Sequence, residues 1–363
     1  MEKIAIIGGG VIGASIAYEL GKIQGLEISL FEEKTPGQGS TGAALGIMMG
    51  AISHKTKGRG WKLRQKSLER YETLIPELES VTGIRIPFNR QGIVMFRFTD
   101  EDTESWQNLA GIRQRQGLEL EIWDRQKLRE NCPEITDDRV TGAIYSRFDR
   151  QVNPTILTRA LVEGAARNGV NCHFGVKVEN FEFDAVNDSN THHCKAIHTE
   201  IGTFEIDRLI LCAGIGSFEL TRQLTRPVEI RPVIGQALQV KLPRDLGRKD
   251  FQPVLTGDDI HIVPLGNGEY WIGATVEFTE LEEAELLEEV RQKAIEFCPE
   301  LANGEIVRTW SGKRPRPEGK PAPVIEKLDG YDNVILATGH YRNGVLLAPA
   351  TAQIVREAIE TGK

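Results

Sequence analysis

The chain has few of the features that mark a membrane, extracellular or metal-binding protein. Its longest apolar run, residues 43–52, is too short to cross a bilayer. The first strand begins so early that no signal peptide fits before it. The five cysteines are odd in number and show no CxxC spacing, which favours reduced thiols. These absences predict a cytoplasmic protein without a transmembrane segment.

The chain also lacks an excess of basic over acidic residues, and it lacks an evident group of metal ligands. The net charge of −8 disfavours nucleic acid or an anionic membrane as a standing partner. The pair His192-His193 lies in a polar stretch without matching ligands, so we expect a solvated hairpin loop there and no metal site. A hydrophobic fraction of 40% and a charged fraction of 26% are typical of a globular protein. The 363 residues allow one large domain or two interleaved ones.

The most informative segment is residues 1–32. An apolar strand at residues 4–7 leads directly into the sequence GGGVIG at residues 8–13, after which apolar residues recur at helical spacing. A second strand at residues 27–31 ends in Glu32. This order of strand, glycine turn, helix, strand and acid is the fingerprint of an adenine dinucleotide site.

Each position of this fingerprint has a physical role. Gly8 permits the tight turn, Gly10 lets backbone N–H groups approach the pyrophosphate, and Gly13 lets the helix pack closely on the strand. The helix N terminus adds partial positive charge. Glu32 can accept hydrogen bonds from both ribose hydroxyls and would repel a 2′-phosphate, so NADP is disfavoured. The motif alone leaves FAD and NAD open.

The rest of the chain alternates between two kinds of pattern. Helices and buried strands predict a discontinuous Rossmann-like domain from residues 1–83, 146–226 and 313–363. Shorter strands predict a mixed or antiparallel β-sheet domain from residues 84–145 and 227–312. The predicted fold class is therefore α/β, with an α+β second domain interleaved with the first. We expect the active site at their junction.

Several local elements follow from the same patterns. Apolar spacing predicts a long helix over residues 61–82, a strand over 84–88 and a polar helix over 101–116. The last helix is predicted to end near residue 360. Pro349 fits the first turn of that helix better than its interior, because proline lacks an N–H group.

Two basic segments near the C terminus carry the candidate chemistry. Residues 310–321 place Arg314 in a proline-flanked loop, and residues 340–344 place Arg342 in the turn before the last helix. An arginine fork can hold a carboxylate with two hydrogen bonds, and rigid flanks keep that fork aimed. Either arginine alone would be interpreted as a surface residue, but their joint occurrence favours a carboxylate site.

These motifs together make the chain resemble the D-amino-acid oxidase superfamily of FAD enzymes, and most closely its glycine oxidase-like branch. The motif at residues 337–351 is long, and it separates the chain from NAD dehydrogenases. Since no cysteine occupies a flavin-attachment position, the resemblance implies noncovalent FAD. It covers essentially the whole chain and rests on residues 8–13 with Glu32, 39–44, 211–214, 310–315 and 337–351.

The resemblance also implies which residues hold the cofactor and the substrate. Arg314 would bind the substrate carboxylate, Arg342 would lie beside the flavin or substrate, and His261 stands where related enzymes have a carboxylate-binding tyrosine. Met48-Met49 would replace part of the usual loop over the flavin. The implied cofactor residues are Gly8, Gly10, Val11, Ile12, Gly13, Glu32, Glu33, Ser40, Thr41, Ala43, Ala44, Val176, Ala213, Gly214, Arg314, Arg342, Asn343, Gly344, Val345 and Leu346.

The activity that the resemblance implies is oxidation of the CH–NH bond of glycine, sarcosine or a small D-amino acid, by hydride transfer to flavin N5 and reoxidation by O2. A second interpretation is a dehydrogenase of D-amino acids or of a 2-hydroxy acid that uses a quinone-type acceptor. A third is a flavin-binding protein without turnover. The expected partners are a small amino-acid substrate and O2 or another electron acceptor. The sequence leaves the oligomeric state open, a homo-oligomer included.

Overall fold

The computed structural model describes residues 1–99, 103–185, 191–224, 227–279 and 281–362. The α-helices within these residues are α1 (Val11–Leu20), α2 (Ser40–Ala43), α3 (Gly58–Thr82), α4 (Thr103–Arg115), α5 (Arg125–Asn131), α6 (Pro154–Arg167), α7 (Ser217–Thr221), α8 (Ala284–Phe297) and α9 (Gly344–Thr361). The strands are β1 (Glu2–Ile7), β2 (Leu26–Glu32), β3 (Ile47–Met48), β4 (Phe88–Asn89), β5 (Ile93–Phe98), β6 (Leu120–Asp124), β7 (Val140–Ser146), β8 (Arg150–Val152), β9 (Asn171–Phe174), β10 (Val178–Ala185), β11 (His192–Thr199), β12 (Gly202–Glu205), β13 (Arg208–Leu211), β14 (Ile230–Lys241), β15 (Val254–Gly257), β16 (Ile260–Gly266), β17 (Glu269–Gly273), β18 (Glu305–Pro317), β19 (Val324–Lys327) and β20 (Val334–Thr338).

A six-stranded sheet in the order β19-β20-β13-β1-β2-β9 contains the predicted fingerprint. β1 pairs in parallel with β2 on one side and with β13 on the other. The carboxyl ends of these strands therefore meet at one edge, and the direction of chain progression reverses beside β1. Sheets of this kind bind their ligands at such a reversal point. Helices α1, α3, α6 and α9 share one apolar core on one face of this sheet. The three-stranded sheet β10-β11-β12 joins a second apolar core with residues of β1 and β13.

An eight-stranded sheet in the order β18-β14-β17-β16-β15-β5-β7-β6 forms the second layer. Only its β5–β15 pair is parallel among the described pairs. Its apolar face packs against residues of α5 and α8. β18 pairs with β14 without interruption from residue 309 to Pro317, so it crosses the predicted boundary at residue 313 as one strand. The predicted fold class is confirmed, whereas the domain boundaries stay a prediction.

The predicted helix over residues 61–82 is confirmed as α3. The strand predicted over 84–88 is wrong, because only Phe88 belongs to a strand. The N–H groups of Ile84 and Ile86 are bound instead by side chains of the preceding helix, at 3.1 Å from Thr82 Oγ1 and 2.8 Å from Glu79 Oε1. Backbone donors occupied in this way are not available to a neighbouring strand.

Two polar segments also differ from expectation or fall partly outside the described residues. The helix predicted over 101–116 is observed from Thr103 to Arg115, and its first two residues lie outside the described residues. His192 and His193 begin β11 and do not form a loop. His193 Nδ1 lies 2.9 Å from Asp332 Oδ1, and this contact holds the strand end that the polar sequence did not predict.

Pro349 lies inside α9 and not in its first turn, which corrects the sequence expectation. A proline inside a helix leaves the carbonyl four residues earlier without its usual N–H partner. Here that carbonyl belongs to Val345, and the buried Tyr71 hydroxyl donates a hydrogen bond to it. A long-range side chain from α3 therefore replaces the missing backbone bond. No helix in the described part of the chain is long and apolar enough to cross a membrane.

Candidate active site

The turn after β1 brings three backbone segments into contact. Gly8 has φ +110°, and a Cβ atom there would lie 2.6 Å from the carbonyl oxygen of Cys212, just after β13. A Cβ atom on Gly13 would lie 1.9 Å from the Gly8 carbonyl oxygen. Both distances are shorter than van der Waals contact. Glycine at these positions therefore allows β1, α1 and the end of β13 to approach one another.

The same turn places donors and one carboxylate where a dinucleotide would need them. Gly10 is extended before the first turn of α1, and Val11 N–H donates to Thr41 Oγ1 at 3.1 Å. Glu32 Oε2 accepts from Gly9 N–H at 2.7 Å, and Glu32 Oε1 accepts from Lys34 N–H at 3.0 Å. Glu32 is thus fixed beside the turn, whereas the neighbouring Glu33 is exposed. A helix N terminus, a glycine cradle and an anchored acid fit the pyrophosphate and ribose of FAD.

Residues 37–46 form a loop rich in glycine and alanine, the small-residue loop, which includes α2 and lies directly on β18. Ser40 Oγ donates to the carbonyl oxygen of Lys313 at 2.6 Å, and Trp310 Nε1 donates to that of Ala43 at 3.0 Å. A Cβ atom on Gly312 would lie 2.2 Å from Ala43 Cβ. The predicted cofactor loop and the strand that carries Arg314 are therefore in contact.

The remaining predicted cofactor residues follow the carboxyl ends of the parallel strands. Val176 N–H donates to the Glu32 carbonyl at 3.0 Å, so a contact from Val176 to adenine would use its carbonyl oxygen. Ala213 and Gly214 follow β13, and the Gly214 carbonyl accepts from Thr338 Oγ1 at 3.3 Å. Ile12, Ala44, Asn343, Val345 and Leu346 lie on α1, the small-residue loop and the start of α9.

Arg314 extends from β18 and lies over the neighbouring strand β14. Its Nη1 donates to the Ile234 carbonyl at 2.8 Å, and its Nη2 donates to the Thr275 carbonyl at 2.9 Å. A Cβ atom on Gly235 would lie 2.2 Å from Nη2, so the guanidinium occupies the space that glycine leaves. Burial and the positive charge of Arg342 lower the pKa of Arg314. An arginine nevertheless stays protonated at neutral pH, with N–H groups left for a ligand.

A hairpin between β15 and β16 holds His261 and Asp259. Asp258 and Asp259 have φ values of 50° and 60°, as a type I′ turn requires. His261 Nδ1 lies 2.7 Å from Thr256 Oγ1 across the hairpin. Burial, followed by the positive charge of Arg342, lowers the pKa of His261 to about 4. Arg342 is more exposed, and its Nη2 donates to Asp259 Oδ1 at 3.1 Å.

The structure therefore brings Arg342 close enough to lower the pKa of both Arg314 and His261, and Arg314 close enough to lower the pKa of His261. The chain's sequence profile matches the family described as DAO, FAD dependent oxidoreductase, over residues 3–358. The chain belongs to this family.

Curated relatives and solved structures agree with this assignment. The chain is 30% identical to glycine oxidase of Bacillus licheniformis, over 98% of this chain and 92% of that protein. It is 28% identical to the hydrogen cyanide synthase subunit HcnC of Pseudomonas protegens, with the same shares covered. The crystal structure of glycine oxidase from Geobacillus kaustophilus superposes with a TM-score of 0.88 at 27% identity, over 100% of this chain and 96% of that chain. The predicted resemblance and the FAD cofactor of the family are thereby confirmed.

Sequence reasoning missed several residues of this FAD-dependent oxidoreductase that lie around Arg314. Gly235, Ile234 and Thr275 stand far from Arg314 in sequence, and no local motif marked them. Tyr341 was also missed, although it is a half-buried aromatic residue with φ +52°. A bulky residue in that conformation often indicates a functional turn.

The structure also places Met48, Met49 and a further cation near Arg314 in sequence, Arg316. Met48 is fully buried in the core, so only the half-buried Met49 lies against the apolar cluster of the eight-stranded sheet. Arg316 lies over the ring of Phe278 and 3.6 Å from Glu318, in an ion pair on the rim of the site.

His340 gives the oxidoreductase a testable pH dependence of stability. It is 3% exposed, and its Nε2 lies 2.9 Å from Thr351 Oγ1. Burial, and secondarily the positive charge of Arg59, lowers the pKa of His340 from 6.5 to about 3. The unfolded chain therefore binds this proton at higher pH than the folded protein does. We therefore expect the free energy of unfolding to decrease as the pH is lowered below about 6.5. His340 contributes at most about 1.4 kcal/mol of this decrease per pH unit.

The variant His340→Gln removes the titrating group and keeps a donor for Thr351. Chemical unfolding of the holoprotein at a series of pH values should give a shallower loss of stability for this variant than for the wild type. Equal slopes for the two proteins would contradict the assignment of His340 as a buried neutral histidine.

Proposed function

We propose that this FAD-dependent oxidoreductase oxidises the CH–NH bond of glycine, sarcosine or a small D-amino acid, with O2 as the electron acceptor. The observation that carries the proposal is the Arg314 fork, which is fixed by two carbonyl groups and lies on the strand that contacts the cofactor loop. A fixed guanidinium with free N–H groups suits a carboxylate. The similarity to two glycine oxidases supports the same substrate class.

The roles of the individual residues form part of this proposal. Arg314 binds the substrate carboxylate, and Arg342, held by Asp259, adds positive charge at the same side of the site. The residues named above on the turn after β1, the small-residue loop and the start of α9 hold FAD. The discontinuous domain of residues 1–83, 146–226 and 313–363 would carry the cofactor, with the substrate domain formed by the rest.

The low pKa of His261 favours an amine over an alcohol as the substrate. An alcohol must lose its hydroxyl proton to a base, and a base works best when its pKa lies near the working pH. His261, with a pKa of about 4, is a weak base at neutral pH. The ammonium group of an amino acid can lose its proton to water before the reaction, and the lone pair of the resulting free amine then needs no protein base. An amino acid therefore suits this site better than a 2-hydroxy acid.

FAD, when bound, accepts the hydride from the substrate α-carbon. The task of the protein residues is to orient the substrate and to exclude water from the reacting atoms. Arg314 fixes the carboxylate end of the substrate. The partly buried side chains of Ile47, Met49 and Trp310, in the apolar cluster between the cofactor loop and the eight-stranded sheet, supply an apolar wall.

An anaerobic substrate panel tests the proposal. Glycine, sarcosine, D-alanine and 2-hydroxyglutarate are each added to the holoprotein while the flavin absorbance is followed, and air is then admitted. We expect an amine to bleach the flavin, and the colour to return in air with release of hydrogen peroxide. Bleaching by the hydroxy acid alone would contradict the substrate class. Bleaching by an amine with slow recovery in air would contradict O2 as the acceptor and favour a dehydrogenase.

A further inference from the structure

Behind the Arg314 fork lies a group of three buried polar residues that the reaction does not contact. Gln236, Thr275 and Glu277 are 6%, 5% and 2% exposed. They lie on β14 and on the segment of residues 274–279 that follows β17. Buried polar side chains of this kind are costly unless their hydrogen bonds are satisfied, so their arrangement calls for a physical reason.

Three hydrogen-bond donors converge on the Glu277 carboxylate, and one of them is the Thr275 hydroxyl. Glu277 Oε1 accepts from the Thr275 hydroxyl and, at 3.0 Å, from Gln236 Nε2. Glu277 Oε2 accepts from Glu283 N–H at 3.0 Å. Burial opposes ionisation, but these hydrogen bonds outweigh it and lower the pKa of Glu277. Glu277 is therefore a buried carboxylate with both oxygens occupied by donors.

Thr275 and Ile234 connect this carboxylate to the substrate arginine. The Thr275 carbonyl accepts from Arg314 Nη2, while the hydroxyl of the same residue donates to Glu277. The Ile234 carbonyl accepts from Arg314 Nη1 at 2.8 Å and from Glu277 N–H at 3.0 Å. Both carbonyl groups that fix the fork are thus attached to residues that Glu277 holds.

We infer that Glu277 is a positioning residue, which aims the Arg314 fork at the substrate carboxylate through Thr275 and Ile234. The inference rests on the proposed function, because it assumes that Arg314 binds a carboxylate. Glu277 contributes orientation in this scheme, and its negative charge is secondary. A fork loses affinity for a carboxylate when its two donors are no longer aligned with the two oxygens.

The variant Glu277→Gln separates these two contributions because they act in opposite directions. An amide oxygen is a weaker acceptor than a carboxylate oxygen, and the amide NH2 group would face one of the donors that Glu277 now binds. At least one of the three hydrogen bonds would therefore break, and the remaining bond to the Thr275 hydroxyl would weaken, which loosens Thr275. Loss of the negative charge alone would strengthen the positive potential at Arg314 and tighten the binding of an anion. Positioning therefore predicts weaker carboxylate binding, and a purely electrostatic role predicts stronger binding.

The experiment measures the affinity of the holoprotein for acetate and for uncharged acetamide, from their effect on the flavin absorption spectrum. We expect Glu277→Gln to weaken acetate binding by about 10-fold, with unchanged affinity for acetamide and FAD. Thr275→Val, which removes the bridging hydroxyl, should do the same, whereas Thr275→Ser should restore wild-type binding. Glu282→Gln is the matched control, since Glu282 is an exposed carboxylate five residues after Glu277 whose hydrogen bond is to the Ser311 hydroxyl and not to Thr275.

Wild-type or tighter acetate binding in Glu277→Gln would overturn the inference, and so would wild-type binding in Thr275→Val. If Glu277→Gln does not fold, the two Thr275 variants decide between the same outcomes. A wild-type protein that binds acetate no better than acetamide would instead overturn the carboxylate role of Arg314, and with it this inference. The failure of the proposed function can thus be distinguished from the failure of the positioning role.

Discussion

Replacement of Arg314 by alanine is expected to raise the KM for the amino-acid substrate by about 100-fold or more, while FAD stays bound. Two charge-assisted hydrogen bonds to the substrate carboxylate would be lost, and such bonds are stronger than neutral ones. The Thr275 carbonyl would also lose its Arg314 donor, whereas the Ile234 carbonyl would keep the Glu277 N–H group. Steady-state kinetics and the flavin spectrum of the purified variant measure the two effects separately.

The variant Arg314→Lys is the control that keeps the positive charge but removes the guanidinium fork. A lysine retains the positive charge, but it cannot form the paired hydrogen bonds of a guanidinium. We expect its KM to lie between those of the wild type and Arg314→Ala. Unchanged turnover in Arg314→Ala would show that the carboxylate site is misassigned. Loss of FAD from that variant would place Arg314 in the cofactor site instead.

The cofactor half of the protein was predictable because its signals are local. The turn after β1, the helix that follows it and the acid at the end of β2 all lie within one short stretch of the sequence. Close backbone approach requires glycine in the turn, and the ribose hydroxyls require a carboxylate at the end of β2. A reader of the sequence can therefore assemble this part without knowing the tertiary structure. The confirmed fold class follows largely from it.

The failures of prediction have a common cause in hydrogen bonds between side chains and backbone groups, which apolar spacing does not reveal. Tyr71 satisfies the Val345 carbonyl and lets α9 continue through Pro349. Glu79 and Thr82 bind the N–H groups of residues 84 and 86 and prevent a strand there. The bond from Tyr71 depends on which elements meet in space. The bonds from Glu79 and Thr82 are local, and they compete with strand pairing for the same N–H groups.

The substrate half shows the same limit. The proline-flanked motif identified Arg314, but no local pattern indicated which groups hold the fork. Its two carbonyl partners and Gly235 come from β14 and from the segment after β17. The long pairing of β14 with β18 brings Gly235 directly opposite Gly312. This glycine pair leads to the second prediction with a large effect.

Gly235→Ala is expected to produce a folded, FAD-containing protein whose KM for the substrate is raised by about 100-fold, close to the effect of Arg314→Ala. The added Cβ atom would lie 2.2 Å from Arg314 Nη2. Gly235 has no positive φ, so the backbone accepts alanine. The guanidinium is the flexible end of a long side chain, and it can move away at little cost to folding. The methyl group would therefore displace the fork from its two carbonyl partners.

Gly312→Ala is the matched variant, since this residue faces Gly235 across the strand pair. Its Cβ atom would lie 2.2 Å from Ala43 Cβ, which has no flexible side chain to move. The small-residue loop itself must shift, so we expect weaker FAD binding from Gly312→Ala and weaker substrate binding from Gly235→Ala. Titration of the apoprotein with FAD and kinetics of the holoprotein measure the two effects. An equal loss of FAD affinity in both variants would contradict this division. Gly235 and Gly312 would then both border the cofactor site, and Arg314 would have no separate role in holding the substrate.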